Sequence, residues 1–397
     1  MHLCVFDQSV AAGSPAGSCV LAEVLGLAEE HEVTVLSSRC DAQSHRRVRW
    51  LRVPLPARPL LLRYVLFQAI APWVLRWHRL RGLPAADLVQ TTQGQYARAD
   101  VAYAHFCHRA YLLGPWKASP VHGLRRLMRA LNHRFNAVWE QRAFRRAKLI
   151  VVPSQGLARE LAAVYPEVAD RVVTLANPVD LARFARDPGF DRQALRASIG
   201  ASAGTTLFAF VALGDFARKG LGLVLDALAE LPLRERARLL VVGGRPGEIA
   251  DWRERAEAVG VAGQVVFVGL QPDVRPYLWA SDAFVFPSAY EIFSLAILQA
   301  AAARLPVIVS EGLYGAEEFV VNGDNGWLVP RTADAVGIAL QAAMADADRL
   351  AEMGRRAEQS VQRYSQETFV QRWRELYGRL APKGTPQSAE RAARRSA

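Results

Sequence analysis

The chain has 397 residues, 51% hydrophobic and 22% charged, with a formal net charge of +11. That length exceeds one comfortable core and suits two domains of roughly 180 residues each, and the apolar content can bury two sheets with their helices, which excludes wholesale disorder. The charge is uneven: residues 1–187 hold 25 Lys and Arg against 14 Asp and Glu, whereas the remainder holds 24 of each, and between Arg46 and Lys148 20 basic residues face only Asp87, Asp100 and Glu140.

The opening reads as a buried strand, HLCVF, within a start whose only apolar run is interrupted by Asp7, so no secretory leader is expected there. The loop AAGSPAGS, the helix CVLAEVLGLAEE and the strand HEVTVLSS complete one βαβ unit. Residues 57–82 interleave Tyr64, Phe67, Trp73 and Trp77 with Arg58, Arg63, Arg76, Arg79 and Arg81. Two readings are open: a helix lying in an anionic lipid interface, or an amphipathic helix packed on its own domain. A transmembrane span is excluded because Arg63 and Gln68 interrupt the apolar run and Pro72 is expected to break or kink the helix.

Strand-like runs follow at DLVQTT, DVAYAHF and KLIVVPS, with helical material between, and VVTLANPVD closes a first domain over 1–182. The polar, turn-rich stretch 183–202 is expected to be a linker. The second domain, 203–365, repeats the alternation through TLFAFVAL, RLLVVGG, VVFVGL, AFVFPS, PVIVS and GWLVP, each separated by helical or turn segments. Doubly wound α/β architecture, twice over, is the simplest account. A closing helix is expected at 366–381, and a disordered basic tail at 382–397.

Cys4, Cys19, Cys40 and Cys107 form no C-x-x-C pair and have no zinc-like His spacing, so reduced thiols in a cytoplasmic setting are expected, and no metal site. The basic N-terminal half implies an anionic partner: a membrane surface, an anionic acceptor molecule or nucleic acid, between which composition does not choose. An Arg-rich composition that only aids solubility is also open. The half lacks any recognised nucleic-acid-binding module, so nucleic acid is the least expected.

In open α/β sheets ligands collect where strands run into helices at their carboxyl ends. After TLFAFVAL comes GDFARKG, in which Gly214 permits a tight turn and Arg218 and Lys219 precede a helix opened by Gly220, a combination suited to a diphosphate. After AFVFPS comes AYEIFSLAILQAAA, where Glu291 is placed to meet sugar hydroxyls, Ser294 to cap a helix from Leu295, and Gln299 lies about one turn into it. Solvated surface cations and an ordinary helix-start acid are the plain alternatives.

Taken in order, these pieces resemble glycosyltransferase family 4, retaining enzymes with the GT-B fold of two Rossmann-like domains facing across a cleft. The resemblance rests on Gly214 with Arg218, Lys219 and Gly220, Val241 to Gly243, Phe267 with Gly269, Pro287 with Ser288, Glu291 with Phe293, Pro306 with Val307, and Asn325 to Val329. The first domain matches more loosely, through Gly13 and Ser14 at the family's glycine pair and Asn177 to Asp180 with Phe184. The GDFARKG wording is loosely similar to the lipopolysaccharide-core glucosyltransferases.

The resemblance implies a nucleotide-sugar donor as substrate, no metal or other cofactor, and a glycolipid or glycan acceptor for the basic domain. Arg218 and Lys219 would neutralise the departing diphosphate and Glu291 would hold sugar hydroxyls. Backbone amides of Phe293, Ser294 and Leu295 would complete the cradle, and Leu270 would lie near the base. His105 would steer the acceptor hydroxyl. Two positions depart from the pattern: Gln299 stands where the family has a second acid for the ribose, and Ser14 stands for the second glycine. A nucleotide-sugar epimerase, a hydrolase and a non-catalytic binding homologue are the rival readings.

Overall fold

The computed structural model describes residues 1–118 and 123–381. The basic tail expected at 382–397 lies outside the described residues. Contacts divide the chain into two compact units: unit 1 contains Met1–Pro178 together with the C-terminal helix Gln366–Leu380, and unit 2 is Val179–Ser365.

Unit 1 is built on seven parallel strands: β1 His2–Phe6, β2 Glu32–Ser37, β3 Val48–Arg52, β4 Leu88–Thr92, β5 Val101–Tyr103, β6 Leu149–Val152 and β7 Val172–Thr174. Their order is β3-β2-β1-β4-β5-β6-β7, so the winding reverses between β1 and β4. Apolar runs such as Leu3 to Phe6 are buried on both faces, as strands covered by helices must be. β3 has no counterpart among the strands read from sequence: it is an edge strand in which Arg49 and Arg52 are exposed, so its apolar signal is thin.

The C-terminal helix is locked to unit 1 by a buried polar cluster. Tyr377 donates to Glu23 Oε1 at 3.1 Å and also to Gln90, whose amide donates to the other Glu23 oxygen at 2.9 Å. Burial pushes the Glu23 carboxyl up to about 8, the two hydrogen bonds offsetting it only in part. The protonated acid is thus the form this core accommodates at neutral pH.

The helix Leu60–Leu80 buries Phe67, Ala71 and Leu75, spaced four apart, against Cys4, Phe6, Leu36 and Leu51 of the sheet. The packed reading therefore holds for that stripe. The opposite side leaves Trp73, Trp77 and Leu80 exposed. The expected break at Pro72 does not occur: the helix continues through it to Leu80.

Unit 2 carries six parallel strands: β8 Thr206–Ala212, β9 Ala237–Gly243, β10 Val265–Gly269, β11 Ala283–Phe286, β12 Val307–Ser310 and β13 Gly326–Val329. They are ordered β10-β9-β8-β11-β12-β13, with the reversal between β8 and β11. The stretch expected as a linker is integral to this unit. It contains the helix Arg192–Ser198, whose Arg196 is buried and donates to Asp282 Oδ2 at 2.9 Å and to the Ala280 carbonyl at 3.0 Å. Polarity there marks a buried ion-pair anchor, which local sequence cannot distinguish from a solvated connection.

Candidate functional site

Strand order in unit 2 reverses between β8 and β11, and in doubly wound sheets the carboxyl ends of the strands at such a reversal are where a ligand crevice forms. The two segments singled out in the sequence, after β8 and after β11, meet there. Phe216–Lys219 forms one short helical turn, and Gly220, at φ 87°, leads directly into the helix Leu221–Ala229. A Cβ on Gly220 would fall 2.2 Å from the Pro287 carbonyl oxygen, so glycine is required both by its backbone conformation and by the close approach of the β11 loop.

The charged side chains converge on one carboxylate. Glu291 Oε1 accepts from Lys219 Nζ, from Arg218 at 3.3 Å and from the Ser288 hydroxyl at 2.9 Å. Arg218 also donates to Asp215 Oδ2 at 2.7 Å and to the Tyr290 carbonyl at 2.5 Å. The Lys219 ammonium lies 5.2 Å from the centre of the Phe286 ring. The side chains of Lys219 and Glu291 retain only 14% and 13% exposure, against 30% for Arg218. Burial lowers the Lys219 pKa, and Glu291 beside it works in the opposite direction. Arg218 and Lys219 are matched by Glu291 and Asp215, so their charges balance here, and the clustered donors of two adjacent cations suit a polyanionic group.

The loop from Glu291 runs into the helix Leu295–Ala302 with Ser294 at its N-cap, where sequence placed it, but the hydroxyl makes no capping bond. The first amides of that helix, which have no intrahelical partner in any helix, are thus not engaged by the Ser294 hydroxyl. Phe293 is a core residue at 5% exposure, its ring 5.4 Å from that of Tyr364. Leu270 is exposed just after β10, where Gly269 turns the chain at φ 73°. Gln299 is half-buried one turn into its helix, and its side-chain amide makes no hydrogen bond among the described residues.

Glu248 escaped the sequence reading. Its carboxylate accepts from the Phe216 amide at 2.8 Å and lies where a side chain on Gly214 would intrude, so it holds the GDFARKG turn in place. Its only local signal is an acid in the first turn of the helix Pro246–Ala258. A concavity of about 980 Å³ in the same unit, bordered by Thr206, Arg236 and Asp282, lies at the opposite, amino-terminal edge of the sheet. Its Arg192 and Arg196 are paired with Asp282 and its Arg304 with Glu358, so those side chains serve the fold.

Gly13, Ser14 and His105 belong to unit 1. Ser14 caps the helix Pro15–Ala28, its hydroxyl accepting from the Gly17 amide at 3.1 Å. A Cβ on Gly13 would meet nothing within 4 Å, whereas one on Gly17, in the first turn of that helix, would fall 2.5 Å from the Ser9 carbonyl oxygen, so the close approach needs glycine at Gly17 and not at Gly13. Ser14 is thus accounted for as a cap. His105 follows β5, its ring centroid 4.1 Å from that of Tyr103 and its Nε2 buried without a partner among the described residues. Burial pushes its pKa down to about 3, which keeps the imidazole neutral.

All four cysteines are buried and free. Among the described residues no cluster of three or more His, Cys, Asp and Glu is gathered as a metal site, and no helix is long and apolar enough to cross a membrane.

Two parallel doubly wound sheets, one carrying Arg218, Lys219 and Glu291 at its switch point, define a GT-B type of architecture. Comparison with known proteins agrees. The family model for glycosyltransferase family 4 matches residues 16–183, and that for glycosyl transferases group 1 matches residues 207–346. The chain belongs to these GT-B glycosyltransferases. It is similar to a D-inositol 3-phosphate glycosyltransferase of Nocardia farcinica, 32% identical over 234 residues, 55% of this chain and 50% of that protein. The chain thus spans about half the length of such curated relatives.

Among solved structures it is similar to WaaG, a glycosyltransferase involved in lipopolysaccharide biosynthesis, with a TM-score of 0.75 and 20% identity over 94% of this chain and 99% of that one. It is likewise similar to HepE of Anabaena in complex with UDP-glucose, with a TM-score of 0.70 and 20% identity over 95% and 99% of the two chains. At these identities the structural likeness establishes the fold.

Proposed function

We propose that this protein transfers a hexose from a nucleotide-sugar, a UDP- or GDP-sugar, to a lipid- or polysaccharide-type acceptor of the cell envelope, with retention and without a metal ion. The observation that carries the reading is the convergence of Arg218, Lys219, Ser288 and Glu291 at the switch point of unit 2. As the glycosidic bond to the diphosphate breaks, negative charge grows on the leaving oxygen, and two preorganised cations in a half-buried crevice stabilise that charge more than they stabilise the bound donor. Glu291 supplies an acceptor for sugar hydroxyls beside them, and the amides starting the helix Leu295–Ala302 supply donors. In this reading the leaving phosphate itself takes the proton of the incoming hydroxyl, so no protein nucleophile is required.

The bound UDP-glucose of HepE and the lipopolysaccharide role of WaaG support this assignment by similarity. The acceptor would be held by the basic unit 1, with His105 steering its hydroxyl, at the cytoplasmic face of a membrane touched by the exposed Trp77 and Leu80. Gln299, uncharged where the family has an acid, favours one rival: a homologue that binds the nucleotide without turnover. A thermal-shift screen with UDP, GDP, ADP and their sugars, followed by product analysis, separates these readings. Stabilisation with glycoside formation is expected, stabilisation alone favours the rival, and no response from the intact protein defeats the donor-site assignment.

A further inference from the structure

Unit 1 holds a cationic site of its own. A hollow of about 1000 Å³ runs between the helices Leu60–Leu80 and Gly123–Arg146 and is floored by the loop 95–98. Arg76, Arg79, Arg98, Arg142, Arg145 and Arg146 line it, and no Asp or Glu does. Arg145 is paired with Glu167 at 2.9 Å. The other five make no ion pair or side-chain hydrogen bond among the described residues.

Helix ends account for only part of this. Arg79, Arg145 and Arg146 occupy the last turns of their helices, where the backbone dipole favours cations. Arg76 and Arg142 lie a turn earlier and Arg98 is on a loop, so their charges are not explained that way. Guanidiniums gathered in one concavity repel each other, and an anion seated among them relieves that repulsion.

Aromatic planes stand beside these charges. Arg142 lies 4.7 Å from the centre of the Trp139 ring and Arg76 5.8 Å from that of Trp73, so each cation is held against an indole. Tyr96, stacked on Phe6 at 4.1 Å, adds a third rigid ring to the lining. Flat apolar faces suit the CH face of a sugar, and planar guanidiniums suit the oxygens of a phosphate or carboxylate. A bilayer surface is broad and flat, whereas this site is a hollow of the size that encloses a small ligand.

We propose that the hollow between these two helices is a binding site for an anionic saccharide, a sugar carrying phosphate or carboxylate groups. That this saccharide is part of the acceptor rests on the proposed function; the binding itself does not.

The test is calorimetric titration of the whole protein with lactose 1-phosphate and with lactose, alongside flotation with phosphatidylglycerol vesicles. Lactose 1-phosphate is expected to bind at least tenfold more tightly than lactose. Arg98→Ala/Arg142→Ala should weaken it about tenfold or more, the loss of two charge-assisted contacts. Arg218→Ala/Lys219→Ala should leave it unchanged, and a circular dichroism spectrum and melting profile of Arg98→Ala/Arg142→Ala that match the parent's show that this variant is folded. Equal binding of lactose, or loss only in the Arg218→Ala/Lys219→Ala variant, overturns the proposal. So does vesicle binding that depends on Arg98 and Arg142 without any response to lactose 1-phosphate, which assigns the surface to lipid. Failure of UDP to bind counts against the donor site and leaves a positive lactose 1-phosphate result standing.

Discussion

Replacing Glu291 with glutamine tests the crevice through a sign as well as a size. The carboxylate is the shared acceptor of Lys219, Arg218 and Ser288, and the Lys219 side chain is only 14% exposed. Glu291→Gln keeps the shape and one accepting oxygen but strands a half-buried ammonium without its counter-charge. Breaking a fully buried pair costs about 3–5 kcal/mol. Here the residual exposure and the surviving acceptor reduce this to about 2 kcal/mol, a fall in melting temperature of about 4–8 °C for a unit of this size.

Affinity for UDP should move the other way. Glu291 competes with a diphosphate for both cations, so removing its charge leaves UDP binding unchanged or a few-fold tighter, although Lys219 becomes easier to deprotonate. Turnover with a UDP-sugar should drop about a hundredfold or more, because the sugar loses its charged acceptor and the cations lose their placement. Differential scanning calorimetry, UDP titration and single-turnover kinetics read the three quantities. A tenfold loss of UDP affinity, comparable to that of Arg218→Ala, would refute the argument that Glu291 opposes the phosphate site.

Gly220→Ala places a Cβ 2.2 Å from the Pro287 carbonyl at φ 87°, so a loss of about 2 kcal/mol or more is expected, together with weaker UDP binding as the β11 loop shifts; an unchanged melting temperature contradicts it. Glu23 titrates near about 4.3 when unfolded but is pushed up to about 8 by burial in the native core. Between those values the native state holds a proton that the unfolded chain has released, so stability declines as pH rises through that window. Asp7, raised to about 6, and Glu140, raised to about 7, act in the same sense at lower pH. Denaturation midpoints at pH 7 and 8.5 should therefore fall in the parent and flatten in Glu23→Gln, and an identical slope in both would exclude Glu23 as the cause. Gln299→Glu should tighten UDP binding several-fold if the ribose lies against this position, and a fall in affinity would show that the neutral amide suits this site.

Most of the strand–helix alternation was legible because buried parallel strands are continuous apolar runs, as in β8, β9, β11 and β12, and glycine-marked loops delimit them. β3 was not, because an edge strand carries exposed arginines. The helix Arg192–Ser198 was missed for a related reason: Arg196 looks like surface until Asp282, far along the chain, is brought beneath it. Within the candidate site, Arg218, Lys219 and Glu291 could be named from their positions after strands, but Glu248 could not, since its role depends on a contact between two loops.

By itself, the sequence determined the two-unit α/β plan and the basic bias of the first half, since both reside in local pattern and composition, while the resemblance to a family is what grouped the turn of Arg218 and Lys219 with Glu291. Only the tertiary structure decided that one carboxylate is shared by both cations, that Ser14 is a helix cap and that Glu23 is sealed under Tyr377. It also decided that arginines from two helices and a loop face one hollow. Those outcomes depend on strand order and helix packing, which bring together residues with no proximity in the chain.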